Sequence, residues 1–152
     1  MMKLTIAPRG ILQMDDARII YRNFSGLGSK FNREGDRNFS VVIEDRETAD
    51  MLIEEGWNVK IKAPRDDDEM PFMHLPIKIK FTDRGPNVYL RTGEVTNKLD
   101  EESIDCLDNI DILGVNLDIR PYDWEVNGKS GRTAYLQSIE VIQEVDRFAE
   151  RY

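Results

Sequence analysis

The stretch Val115–Ile142, VNLDIRPYDWEVNGKSGRTAYLQSIEVI, constrains this chain more than any other. Two strand-like runs flank the turn-rich segment Asn127, Gly128, Lys129, Ser130 and Gly131, which is the pattern of a long β-hairpin. Arg120, Tyr122 and Trp124 occupy alternate positions, so on an extended strand they share one side, opposite Val115, Leu117 and Ile119. A cation and two aromatics on a face that need not be buried suit unpaired nucleic acid, because bases stack on rings while Arg meets phosphate or a second ring. The same residues also read as a cross-strand cap over the core. The hairpin alone does not choose between the two.

The remaining chain is written largely in the same alternating hand. ARIIYRNF, residues 17–24, reads as a strand with Arg18, Ile20, Arg22 and Phe24 on one side and Ala17, Ile19 and Tyr21 on the other. NFSVVIE, residues 38–44, is its returning partner, and between them lies SGLGSKFNREGDR, a loop that sets Lys30, Phe31, Arg33 and Arg37 among glycines. A loop this long inside a domain is more often functional than idle. Its glycines fit neither a Walker motif nor a dinucleotide fingerprint. WNVKIKA and LPIKIKF alternate cleanly and carry Lys60, Lys62, Lys78 and Lys80 outward, where edge protection and solubility weigh more than ligand contact, and Pro76 points to an edge position. NVYLRTG is a further short strand. Asp45 and Asp100 read as N-caps of two short helices, RETADMLIEE and EESIDCLDNI. Residues 1–15 read as an edge strand or an arm, and EVDRFAERY as a polar tail or terminal helix. The fold class expected is mainly β with small α additions, in one domain of 152 residues.

Composition narrows the function. The net charge of −8 argues against a protein that coats nucleic acid with its whole surface, since phosphate affinity comes largely from Lys and Arg. Basic residues nevertheless gather between Ala17 and Ser40, while acids concentrate near Glu44–Glu55, Asp66–Glu69 and Asp100–Asp111, an asymmetry that can restrict a polyanion to one path. The single cysteine, Cys106, excludes an internal disulfide and fits a reducing cytoplasm. No apolar run approaches the roughly 18 residues that span a membrane, and the start lacks a hydrophobic signal core. His74 is the only histidine, so no Ser/His/Asp triad and no multi-histidine metal site can be assembled. Asp66, Asp67, Asp68 and Glu69 are contiguous rather than spaced as in a calcium loop. Catalysis, metal and cofactor are therefore not expected, and the informative residues belong to binding.

Three segments together carry a resemblance: NFSGLGSKFNREGDRNFSVVIED, then EEGWNVKI with an acidic loop and LPIKIKF, and last IRPYDWEVNGKSGRTAYLQSIEV. They resemble the small single-stranded-DNA-binding proteins encoded by phages and related mobile elements of Gram-positive bacteria, over roughly residues 17–142. The resemblance implies an OB-fold, a five-stranded Greek-key β-barrel with extra strands, that covers single-stranded DNA without strong sequence preference during replication or recombination. Carried over residue by residue, it implies a nucleic-acid-binding set of Arg22, Phe24, Lys30, Phe31, Arg33, Arg37 and Phe39 from the first hairpin. From the last hairpin it takes Arg120, Tyr122, Trp124, Lys129, Arg132 and Tyr135. Aromatics would stack on bases and cations would track phosphates. Past Pro121 the alternation no longer tells which of Tyr135 and Leu136 faces inward. Unlike the bacterial housekeeping version, the chain has no glycine- and proline-rich linker and no acidic tip ending in Phe, so recruitment of replication or recombination proteins through such a tail is in doubt. Two other readings stay open: an acidic protein-binding module that imitates nucleic acid, and an RNA binder on the same fold. An exposed edge strand permits homo-oligomers without requiring them.

Overall fold

Apolar alternation turns nearly every one of these runs into a strand. In the computed structural model, residues 2–64, 66, 69, 71–146 and 148 are described, and they form one sheet of ten strands with one α-helix. In chain order the elements are β1 (Lys3–Ile6), β2 (Leu12–Ala17), β3 (Ile19–Asn23), β4 (Arg37–Ile43) and α1 (Arg46–Glu54). There follow β5 (Lys60–Lys62), β6 (Phe72–Ile79), β7 (Asn87–Thr92), β8 (Val95–Leu99), β9 (Ile112–Val126) and β10 (Lys129–Gln143). The order across the sheet is β1-β2-β9-β10-β6-β4-β3, with β5 also beside β6, β7 beside β10 and β8 beside β7. Strands β2 and β3 are separated in the chain only by Arg18, yet β2 pairs with β9 and β3 with β4, at opposite ends of that order. The sheet must therefore curl until its ends meet, and the bend is made where Asp16 has φ 54° and the β2–β9 register shifts.

The inner side of the curl is apolar throughout. Leu12, Met14, Val41, Leu75, Ile77, Ile119, Leu136 and Val141 are buried, and Phe24 stacks on Phe39 with ring centroids 5.1 Å apart. Strand β10 keeps Ala134 and Leu136 inward, then Ile139 and Val141, because a bulge at Gln137 inserts one residue against β9 and reverses the parity. That bulge, and not one at Pro121, settles the register: Pro121 pairs with Ala134 without a shift, Leu136 faces the core and Tyr135 faces out.

Several expectations change. Within the segment read as an edge strand or an arm, Lys3–Ile6 is an edge strand, β1, and it forms a hairpin with β2. Asp45 caps α1 as expected, accepting a hydrogen bond from the Thr48 amide. The second expected helix is only a 3-10 turn, Ile104–Asp108, whose Ile104 and Leu107 plug the core. Arg22 and Asp108 tie it down: Arg22 donates to the carbonyls of Leu107 and Ile110, and Asp108 accepts from the amides of Phe24 and Ser25 and the Ser25 hydroxyl. Pro76 is not on an edge. It pairs with Ser40 of β4, and on its other side falls between the end of β5 at His74 and the start of the β10 ladder at Ile77, where no ladder is interrupted. Strand β8 went unread, being polar and exposed on an edge. Asp67 and Asp68 of the acidic loop, and Arg147 and residues 149–152 of the expected tail, lie outside the described residues.

Phe39→Ala removes a fully buried ring and its stacking partner for Phe24, and is expected to cost about 3–5 kcal/mol. Urea denaturation should show the midpoint falling without a change in slope.

Candidate nucleic-acid interface

Sheet register places an outward row across four strands. Arg120 of β9 is opposite Tyr135 of β10, Tyr135 is opposite Lys78 of β6, and Lys78 is opposite Asn38 of β4. The Arg120 guanidinium lies 4.9 Å from the centre of the Tyr135 ring, and Tyr122 meets the same ring edge-on at 5.9 Å. Inward neighbours of this row, Ile119, Leu136, Ile77 and Phe39, are core, so the row rides on a rigid floor.

Beside the row a groove of about 650 Å³ opens, its walls carrying Arg33, Arg37, Lys78, Lys80, Phe81 and Tyr135. Arg37 is held in place by its own contacts. It donates to the Phe24 carbonyl at 2.9 Å, pairs with Glu101 at 3.2 Å and lies 5.7 Å from the Phe81 ring centre. Arg33 pairs with Asp36 at 3.4 Å. Both acids line the groove as well, so its cations are partly neutralised by exposed internal partners that an entering anion could displace.

Past the groove, β9 and β10 run on as a two-stranded arm closed by Asn127 and Gly128, whose φ of 51° and 80° are those of the tight Asn-Gly hairpin turn. Trp124 lies across the strand opposite, over Gly131. A methyl group at 131 would come within 2.6 Å of the indole Cζ2, so the absent side chain is what lets the ring lie flat there. The other tryptophan, Trp57, is buried beneath the Arg132 guanidinium at 5.3 Å.

The expected site residues divide accordingly. Arg33, Arg37 and Tyr135 line the groove, Arg120 and Tyr122 adjoin it, and Trp124 and Lys129 lie out on the arm. Lys30 and the 93%-exposed Phe31 sit on the loop that supplies Arg33, their side chains 5.9 Å apart. Four residues do not present themselves to a ligand. Phe24 and Phe39 are core rings with nothing exposed for a base to stack on. Phe39 shares the inward side of β4 with Val41 and Ile43, and Phe24 is carried inward by a bulge between Ile20 and Asn23, where Tyr21 takes φ 56° and the alternation of β3 reverses. Arg22 is spent on two backbone carbonyls. Arg132 points to the opposite face of the hairpin, where it binds both carboxylate oxygens of Asp123 at 2.7 and 3.2 Å. That bond holds the Asp123 carboxyl below its ordinary range and raises the Arg132 guanidinium. Sequence reasoning missed Lys78, Lys80 and Phe81. Their alternation shows only that the lysines face out; what they face depends on a pairing with Tyr135 from far along the chain. Among the described residues no group of His, Cys, Asp and Glu is placed to hold a metal ion, and no helix is long and apolar enough to cross a membrane.

The fold these elements define is mostly β and OB-like, and it is shared with a phage protein of known structure. The single-stranded DNA-binding protein from bacteriophage Enc34 matches with a TM-score of 0.57 at 16% identity, over 97% of this chain and 94% of that one. Its C-terminal truncation matches with a TM-score of 0.57 at 15% identity, over 95% and 97% of the two chains. The same protein in complex with ssDNA matches with a TM-score of 0.57 at 15% identity, over 96% and 93%. No curated protein matches the sequence. The family described as "Putative phage ssDNA-binding domain" matches residues 2–152, and the chain belongs to that family.

Gly131→Ala keeps an ordinary backbone but fills the seat of the indole. It is expected to leave thermal stability within about 0.5 kcal/mol while shifting tryptophan emission to the red. The change should vanish in a Trp124→Phe background, because Trp57 is buried.

Proposed function

We propose that this protein covers single-stranded DNA without strong sequence preference, in the replication or recombination of a phage or mobile element within its host's cytoplasm, and that it is not an enzyme. Family membership supports the class of ligand. The observation that carries the site is the row Arg120, Tyr135 and Lys78 opening into the groove with Arg33, Arg37, Lys80 and Phe81. Rings for base faces and cations for phosphates stand within one strip of rigid sheet, the combination by which single strands are held irrespective of sequence. Tyr122 and Trp124 extend the strip along the arm, and Lys30, Phe31 and Lys129 extend it at loop tips. The acidic remainder of the surface confines the polyanion to this strip.

Titration with oligo-dT, read by tryptophan quenching, tests the reading. Stacking contributes about 1–3 kcal/mol per base, so Tyr135→Ala is expected to weaken binding about tenfold or more. Lys3→Ala, which removes a cation from the edge strand β1, outside the strip and two strands from β9 in the sheet order, is expected to leave it unchanged. Affinity should fall steeply with salt. Absence of binding at low salt, with capture of a single host enzyme, would favour the acidic mimic suggested by the net charge of −8. Equal affinity for RNA of matched sequence would show that no contact reads the 2′-hydroxyl.

A second variant tests the internal counter-ions. Glu101→Gln frees Arg37 from an exposed partner. Since such pairs are worth about 0.2–1 kcal/mol, binding is expected to tighten by up to about fivefold; unchanged or weaker binding would remove Arg37 from the phosphate path.

A further inference from the structure

The outward face of β6 does not end at the groove. Phe72 and His74 lie on the same side of the strand as Pro76, Lys78 and Lys80. Tyr21, 57% exposed, packs edge-on against both rings, with centroids 6.3 Å from Phe72 and 5.5 Å from His74. Lys60 stands opposite His74 and Lys62 opposite Phe72 on β5, so two cations flank the rings. A hollow of about 320 Å³ opens here between Tyr21, Phe72, Lys62, Ile20 and Pro64, with Glu69 also on its lining. The cluster is joined to the groove by the hydrogen-bonded pair of His74 Nδ1 and the hydroxyl of Ser40, a groove residue, at 2.9 Å. Burial, then the nearby Lys60 charge, keeps the His74 pKa below its ordinary value, so at neutral pH it presents an uncharged ring.

We propose that Tyr21, Phe72 and His74 form a second base-stacking subsite, on which a DNA strand leaving the groove along β6 lays its next nucleobases. This rests on the single-strand-binding reading above. Lys78 lies six residue steps along the strand from Phe72, a distance of about 20 Å at about 3.3 Å per residue, so the two sites are successive stations on one path. The groups echo those of the groove, where the half-buried Tyr135 has a neighbouring ring and a lysine on the adjacent strand: here they are Tyr21, the rings beside it and the lysines of β5. Charge chooses the occupant, since lysines beside exposed rings suit a phosphate-linked base. The Tyr21 backbone adds a second observation. Its φ of 56° lies in the left-handed region, disfavoured for an aromatic residue, and it turns an exposed ring onto this face.

Length dependence and photocrosslinking together test the subsite. Single-strand barrels occupy roughly 4–16 nucleotides, so wild type and Tyr21→Ala are compared on oligo-dT of about 4 and about 16 nucleotides. The variant is expected to match wild type on the short strand, held by the groove, and to bind the long one about tenfold more weakly. With wild-type protein, a long oligonucleotide carrying 5-iodouracil is expected to crosslink to the peptide containing Tyr21, a readout that needs no variant to fold. Unchanged binding of the long strand, an equal loss at both lengths, or adducts confined to groove peptides would overturn the subsite while leaving the groove intact. Wild type that binds neither strand would overturn the groove and the subsite together.

Discussion

A β-strand has two hydrogen-bonding edges, and β10 serves three neighbours. One edge is taken along its whole length by β9, and the other is divided between β6 at Ala134–Tyr135 and β7 from Ser138 onward. The bulge at Gln137 stands at the handover. Without the extra residue a single parity would run through the strand, and either Tyr135 would turn into the core or Ile139 and Val141 would turn out of it. The bulge lets one strand present a ring to solvent in its first half and still supply two buried branched residues in its second. The groove opens at the same place: once β6 parts from β10, Lys80 and Phe81 line open space instead of continuing a ladder.

The cations show how an acidic protein keeps a cationic strip. Arg22 and Arg132 are tied to carbonyls and to Asp123, holding the 3-10 turn and the root of the arm, so they add to stability more than to surface potential. The Lys78 and Lys80 side chains have no hydrogen-bond or ion-pair partner among the described residues, and they line the groove. Arg37 is intermediate, fixed on one side by the Phe24 carbonyl and balanced on the other by an exposed glutamate. Counter-ions of that kind reduce repulsion among the cations of the groove, and exposed pairs of this strength would give way at small cost to an entering anion.

How much was legible in the sequence follows from the range of the interactions. Parity is local, so the faces of β6 and β9 could be read directly, as could the cap at Asp45 and the Asn127–Gly128 turn, whereas β10 could not. Bulges are nearly invisible in a sequence of this kind. The one in β3 carried Phe24 inward, and reading past it made a core ring look like a binding residue. Pairing between distant strands was equally unreadable, which left Lys78 a solubility lysine until β10 brought Tyr135 beside it. The second helix failed for a different reason: its caps and charges were ordinary, but a short segment spanning the core closed into a 3-10 turn around Ile104 and Leu107.

Tyr21 has a consequence for how this protein could change. Its backbone sits where glycine sits freely and an aromatic residue is disfavoured by about 1–3 kcal/mol. Selection for stability alone would therefore push this position toward glycine or asparagine, which hold the same bulge at less strain and lose the ring. Selection for contact with a ligand would hold the ring and tolerate the strain. Position 21 is a site where robustness and contact are in direct competition, and a chain relieved of its ligand would be expected to drift there first.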